Sequence, residues 1–271
     1  MFCFRPLVGL FCATWLLSAA DASPRRVNRP AAPAEAPTVV DPLAGLPVLS
    51  DDERELLDTA LEKAAAENDH WAYTQVERDD DDAGETIARY DPSQPEDAQW
   101  TLLQLDGRVP GDREKTRWEK KRVERAGQRR TLGELIDLAG ARLSEATADK
   151  IVVEVPLRTD GDERFPPEKF RVRLTLDRAR EALTAVDVDL RGAFRVIGVV
   201  KVVSGALEVG YAEVDPAYPP QPVRIAGGGV GRVLFVKVDG SFEVTRRDFA
   251  RVEPYSNRYD VEVGEVRALD F

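Results

Sequence analysis

From Ile151 onward, apolar and polar residues alternate almost one for one along the chain. Ile151, Val153 and Val155 alternate with polar or smaller neighbours, and Phe170, Val172, Leu174 and Leu176 fall on one side of Arg171, Arg173 and Thr175. Val186, Val188 and Leu190 alternate with Asp187 and Asp189. Leu207, Val209 and Tyr211 follow, then an apolar run at Val233–Val238, an Asp239-Gly240 turn signal, and Phe242 with Val244. A period of two is the signature of a strand, because successive side chains leave a pleated backbone on opposite faces. The short spacers predict antiparallel pairing, and the clean alternation predicts one apolar and one wet face. Nearer the start, Trp71–Arg78, Glu85–Tyr90 and Trp100–Leu105 read as three further strands. They are divided by turn signals at Asp79–Gly84, Asp91-Pro92 and Asp106-Gly107.

Two segments change period. Ser50 and Glu53 make a capping box, Asp51 and Asp52 suit the positive end of a helix dipole, and Leu56, Leu57, Ala60, Leu61 and Ala64 form one stripe. A helix is expected over 51–66. Asp112–Arg130 is rich in helix formers and poor in apolar residues. Thr131 and Glu134 offer a second capping box, and Leu132, Leu135, Ile136, Ala139 and Leu143 continue at helical spacing, predicting a helix over 131–143. About nine strands with helices in two places predict an α+β fold: a curved antiparallel sheet or incomplete β-barrel capped by helices.

The first residues carry a different pattern. Arg5 is a short positive n-region, Pro6–Ala19 is apolar, and Ala20-Asp21-Ala22 fits the small-x-small cleavage rule. Residues 1–22 therefore read as a signal peptide cut before Ser23, with the product working outside the cytoplasm. Residues 23–49 hold six prolines and no period, and are expected to form a disordered leader. The domain is expected over 50–252, with 253–271 a tail packing on it. No later run is long and apolar enough to span a bilayer, so an integral membrane protein is not expected.

Composition narrows the chemistry. The two cysteines, Cys3 and Cys12, and the single methionine, Met1, all fall within the signal, leaving the exported chain no disulfide and no thiol nucleophile. The formal charge is −11, which disfavours nucleic acid and anionic membranes as general partners. Against that background Asp112–Arg130 is an anomaly, with nine basic residues and four acidic ones. It reads either as a self-paired solvated helix or as a docking surface for an anionic partner, an envelope protein or lipid headgroups.

Other candidates are weak. His70 is the sole histidine, at a helix-to-strand junction, with no nucleophile-elbow motif to partner it. Asp79–Asp82 lacks EF-hand spacing, since Ala83 and Tyr90 stand where ligands are needed. Gly227–Gly231 lacks the Lys-Ser/Thr of a phosphate loop and reads as a turn or bulge between strands. Carboxylates are plentiful, but no pair is singled out for acid/base work. No catalytic residue, cofactor or metal is expected.

The signal peptide, the first helix and the strand start Trp71-Ala72-Tyr73-Thr74-Gln75 resemble the LolA-like periplasmic proteins of Gram-negative bacteria. Tyr90-Asp91-Pro92-Ser93, Trp100-Thr101-Leu102-Leu103 and Asp106-Gly107-Arg108 look like segments of uncharacterised exported relatives. The likeness runs in order of elements from Ser50 to Val252. It implies a half-barrel whose apolar face, under helices, holds acyl chains of a lipid or lipoprotein. The expected lining is Phe170, Val172, Leu174, Val186, Val188, Leu207, Val209, Tyr211, Phe242 and Val244. The expected function is a non-enzymatic periplasmic binding protein or carrier for a hydrophobic ligand. The alternative is an envelope protein-interaction module in which the same residues form a filled core.

Overall fold

The computed structural model describes residues 43–66, 70–79, 84–126, 132–158, 166–196, 200–233 and 236–259. The signal peptide, most of the leader, Asp80–Ala83 and the end of the tail from residue 260 lie outside them.

The first helix, α1 (Asp51–Ala66), starts where its capping box requires. Ser50 N–H donates to Glu53 Oε2 at 2.9 Å, and Glu53 N–H donates back to Ser50 Oγ at 3.4 Å. Three strands follow, β1 (Trp71–Asp79), β2 (Gly84–Tyr90) and β3 (Trp100–Leu105). Asp91 accepts the Ser93 N–H and hydroxyl in the turn after β2, and Asp106 and Gly107 take positive φ after β3. The basic segment forms α2 (Asp112–Ala126), and a single turn, α3 (Leu132–Leu135), comes next. The remainder is strand: β4 (Arg142–Ala146), β5 (Lys150–Val155), β6 (Phe170–Asp177), β7 (Ala182–Leu190), β8 (Phe194–Val196), β9 (Val200–Ala212), β10 (Gln221–Val233) and β11 (Val236–Arg251).

These eleven strands make one antiparallel sheet in the order β3-β2-β1-β11-β10-β9-β7-β6-β5-β4, with β8 added on β9. The ends β3 and β4 do not pair, so the sheet is open. Pairing of β1 with β11 sets the start of the domain beside its end.

The predicted apolar face is covered at one end by α1. Leu57, Ala60, Ile136, Ile151, Val153, Leu174 and Leu183 are all buried there in one cluster. Burying each such side chain contributes about 1.5–3 kcal/mol. The opposite face is wet over its middle strands, where Arg173 pairs with Asp189 at 3.1 Å and Arg224 bridges Glu243 and Glu208 at 2.7 and 3.2 Å, but Val76, Val152 and Glu154 on it are buried.

Among the described residues, packing reaches back past Ser50 to Leu43: Leu43 and Leu49 are buried, Val48 bridges to Arg142, and Leu143 N–H donates to Pro47 O at 2.9 Å. Three expectations need correction. The helix expected over 131–143 stops after one turn. Asp137 caps Ala139 N–H, and Gly140 lies so close to Pro156 that a Cβ there would stand 2.6 Å from Pro156 Cγ. Ile136 is thereby fully buried, and Leu143 goes to β4. Gly227–Gly231 lies within β10 and not between strands; of the two readings, turn or bulge, the turn fails, while the register does shift between Val230 and Gly231. Asp239-Gly240 likewise lies within β11, and the apolar run 233–238 is divided between β10 and β11.

Candidate functional site

Strand register places all ten expected lining residues on one face. One lateral row runs Val153, Leu174, Val186, Val209, Ile225, Val244 and Glu77 across β5, β6, β7, β9, β10, β11 and β1. Its neighbour runs Val155, Val172, Val188, Leu207, Gly227, Phe242 and Asp79. Phe170 and Tyr211 share the face by the two-residue period. In a paired sheet, residues opposite one another project to the same side, so each row is continuous.

Burial divides the ten. Val172, Leu174 and Val186 lie in the filled core with Leu57 and Ala60 of α1. Val188, Val209 and Tyr211 pack at the margin of that core. Phe170 meets Phe194 edge to face at 5.7 Å. Leu207, Phe242 and Val244 lie beyond the core and are half-buried, as is Ile225, which the sequence reading did not single out.

The far end of the same face is closed by α2. Trp118 stands edge-on to Trp100 at 6.2 Å, and the Arg122 guanidinium lies over both rings, at 4.2 Å from Trp100 and 5.0 Å from Trp118. Arg122 also forms an ion pair with Glu77. Trp100 stacks on Tyr90 at 4.8 Å, Tyr90 on Tyr73 at 5.1 Å, and Tyr73 on Phe249 at 5.6 Å. Arg246 lies 4.6 Å from the Tyr73 ring and donates to Gln75 Oε1 at 3.3 Å, while Gln75 Nε2 donates to Glu77. Burial pushes the Tyr211 hydroxyl pKa up, an effect the nearby Arg246 charge partly offsets.

Thus α1 lies against β7, α2 lies against β3, and the two helices share one face. Between them is a strip on β9, β10 and β11 with apolar residues Leu207, Ile225, Phe242 and Val244. It is bordered by the polar set Gln75, Glu77 and Arg246. Such a strip can hold an extended apolar group along its floor and a polar head at Arg246.

The other candidates fall elsewhere. His70 is half-buried at the junction and its carbonyl accepts Val252 N–H at 2.9 Å. Of the aspartate run only Asp79, the last residue of β1, is among the described residues. No group of three or more His, Cys, Asp or Glu placed to hold a metal occurs among the described residues. The sequence signal for the aromatic end was Trp71 and Tyr73 at alternate positions and Trp118 with Arg122 one helical turn apart. No family model matches the chain, and no curated protein or solved structure does either.

Proposed function

We propose that this chain is an exported, non-enzymatic periplasmic binding protein or carrier for a hydrophobic ligand, held in a half-barrel of the LolA-like kind. The acyl chains of a lipid or lipoprotein are the ligand class that suits it. The observation that carries the reading is the continuity of the two lateral rows. They leave the packed core under α1 at Val209 and Val188 and run on to Val244 and Phe242, which lie outside that core and are half-buried. An acyl chain laid there would gain about 0.8 kcal/mol per buried CH₂. The chain expected after cleavage at Ser23 supports the export half of the proposal. No helix among the described residues is long and apolar enough to cross a membrane.

The test is titration of the protein with a fluorescent fatty acid. Saturable binding, weakened by Val244→Asp or Leu207→Asp while the thermal transition is kept, is expected. A wild type that binds no such probe overturns the proposal.

One observation favours a second reading. Arg113, Arg117, Lys120 and Lys121 are exposed along one side of α2, while Trp118 and Arg122 face the sheet. That side would suit an acidic envelope protein. Charge reversal at Lys120 and Lys121 would then abolish a stoichiometric complex, and the wild type would bind no fatty acid.

A further inference from the structure

Beyond the strip, β9, β10 and β11 continue as a ribbon with β8 on its edge. The register of that ribbon aligns four cations. Arg195 on β8 stands opposite Lys201 on β9, Lys201 opposite Arg232 on β10, and Arg232 opposite Lys237 on β11. Neighbouring strands lie about 4.8 Å apart, so the row spans roughly 14 Å on one face. All four side chains are exposed. Lys237 pairs with Asp239 at 2.6 Å, which offsets one of the four charges. Like charges directly opposite one another destabilise a sheet, so folding alone does not favour this alignment.

One residue nearer the tip, the register aligns valines instead. Val196, Val200, Val233 and Val236 face one another across the same four strands, on the side opposite the cations. Val196 is buried, but Val233 is 39% exposed and Val236 is 67% exposed. Val203, beside the cation row, is 38% exposed. Half of the six most exposed large apolar side chains among the described residues therefore sit at this one end.

We infer that this ribbon end docks the protein on a bilayer surface containing anionic phospholipid. Val233 and Val236 enter the headgroup boundary, and Arg195, Lys201, Arg232 and Lys237 meet the phosphates. An exposed apolar tip backed by cations is the combination that binds interfaces, with the long side chains snorkelling to the charged layer. Charge complementarity selects the partner: a chain of net −11 concentrates positive charge here and pairs it with apolar exposure. The site shares no residue with the acyl-binding strip, so the two proposals stand or fall separately.

The test uses the full exported chain and phosphatidylcholine vesicles with and without phosphatidylglycerol, in a sedimentation assay. Binding is expected only to the anionic vesicles, falling as ionic strength rises. The double variant Lys201→Gln with Arg232→Gln should weaken it about tenfold or more. Val236→Asp should weaken it too, and fatty-acid binding without vesicles should be unchanged in both. If the double variant fails to fold, Arg195→Gln alone serves, since β8 is at the ribbon's edge. Absence of binding, equal binding to neutral vesicles, or variants that bind as the wild type would each overturn the inference. So would displacement by inorganic phosphate at matched ionic strength, which would mark a free-anion site instead of a membrane one.

Discussion

Arg122 lies 4.2 Å from the centre of the Trp100 ring and closes an ion pair with Glu77 on the neighbouring part of the sheet. One side chain thus joins α2 to β1 and β3. Its own side chain is only 13% exposed, so the pairing is largely desolvated.

Replacing Arg122 with alanine removes the cation over the rings and leaves Glu77 without this partner. A cation over a desolvated ring contributes about 2 kcal/mol, and breaking a buried ion pair costs about 3–5 kcal/mol. Because Glu77 is one-third exposed, a combined loss of about 2–4 kcal/mol is expected. Denaturant unfolding measures it, and tryptophan emission from Trp100 and Trp118 should change in the folded baseline. An unchanged midpoint would show that α2 is held by other contacts.

The filled core and the uncovered strip should respond differently to truncation. Leu174 is fully buried beneath α1, and Leu174→Ala is expected to cost about 2–5 kcal/mol through lost transfer energy and the cavity left behind. Val244 lies in the same lateral pattern but away from the core, and Val244→Ala should cost about 1 kcal/mol or less while weakening fatty-acid binding. Similar stability losses at the two sites would show that the strip is ordinary core.

Gly227 is held by a neighbour rather than by its own backbone torsion. A Cβ there would lie 2.8 Å from the Phe242 ring and 3.2 Å from Ala206 O. Gly227→Ala should therefore displace the ring and cost about 1–3 kcal/mol, although alanine is otherwise the better strand residue. Coupling the change with Phe242→Leu should recover part of the loss in thermal melts. No recovery would mean that the backbone contact, not the ring, sets the cost.

Glu114 gives a pH prediction. Its carboxylate accepts two bonds from Arg108, at 2.8 and 2.6 Å, and the Gly111 N–H at 2.9 Å. The Arg108 bonds, then the Gly111 bond, hold its pKa at about 2, against an ordinary 4.5. A depressed carboxylate favours the folded form above its ordinary pKa, and that contribution disappears as pH falls from 4.5 toward 2. The start of α2 should loosen in that window. A side-chain carboxyl titration by NMR should show a midpoint near 2, rising toward 4.5 in Arg108→Gln. A wild-type midpoint already near 4.5 would show that the pairing does not persist in solution.

The strands on either side of α1 were legible in the sequence because a sheet with one covered face writes its period directly. Phe170 to Leu176 and Val186 to Leu190 alternate without interruption, and register brings them together as expected. The capping box at Ser50 and Glu53 was legible because it is local. The glycines of β10 read as a turn or bulge between strands; the position between strands fails because a ring fifteen residues further on covers Gly227 within the strand. Leu143 misled for a similar reason: Pro156, distant in sequence, ends the helical spacing at Gly140. Arg122 was read among solvated charges, since a basic helix does not show in sequence which of its arginines faces inward. The cation row was invisible until register aligned four residues from separate strands.

Gly205, Gly229 and Gly240 stand opposite one another on β9, β10 and β11, a transverse line across those three strands without a Cβ. A shallow depression of about 540 Å³ lies along it, lined also by Ser204, Ala206 and Ser241. The hydrogen bonds between these strands run along that line, so at these three positions the backbone alone joins neighbour to neighbour, with no cross-strand side-chain pair to add to it.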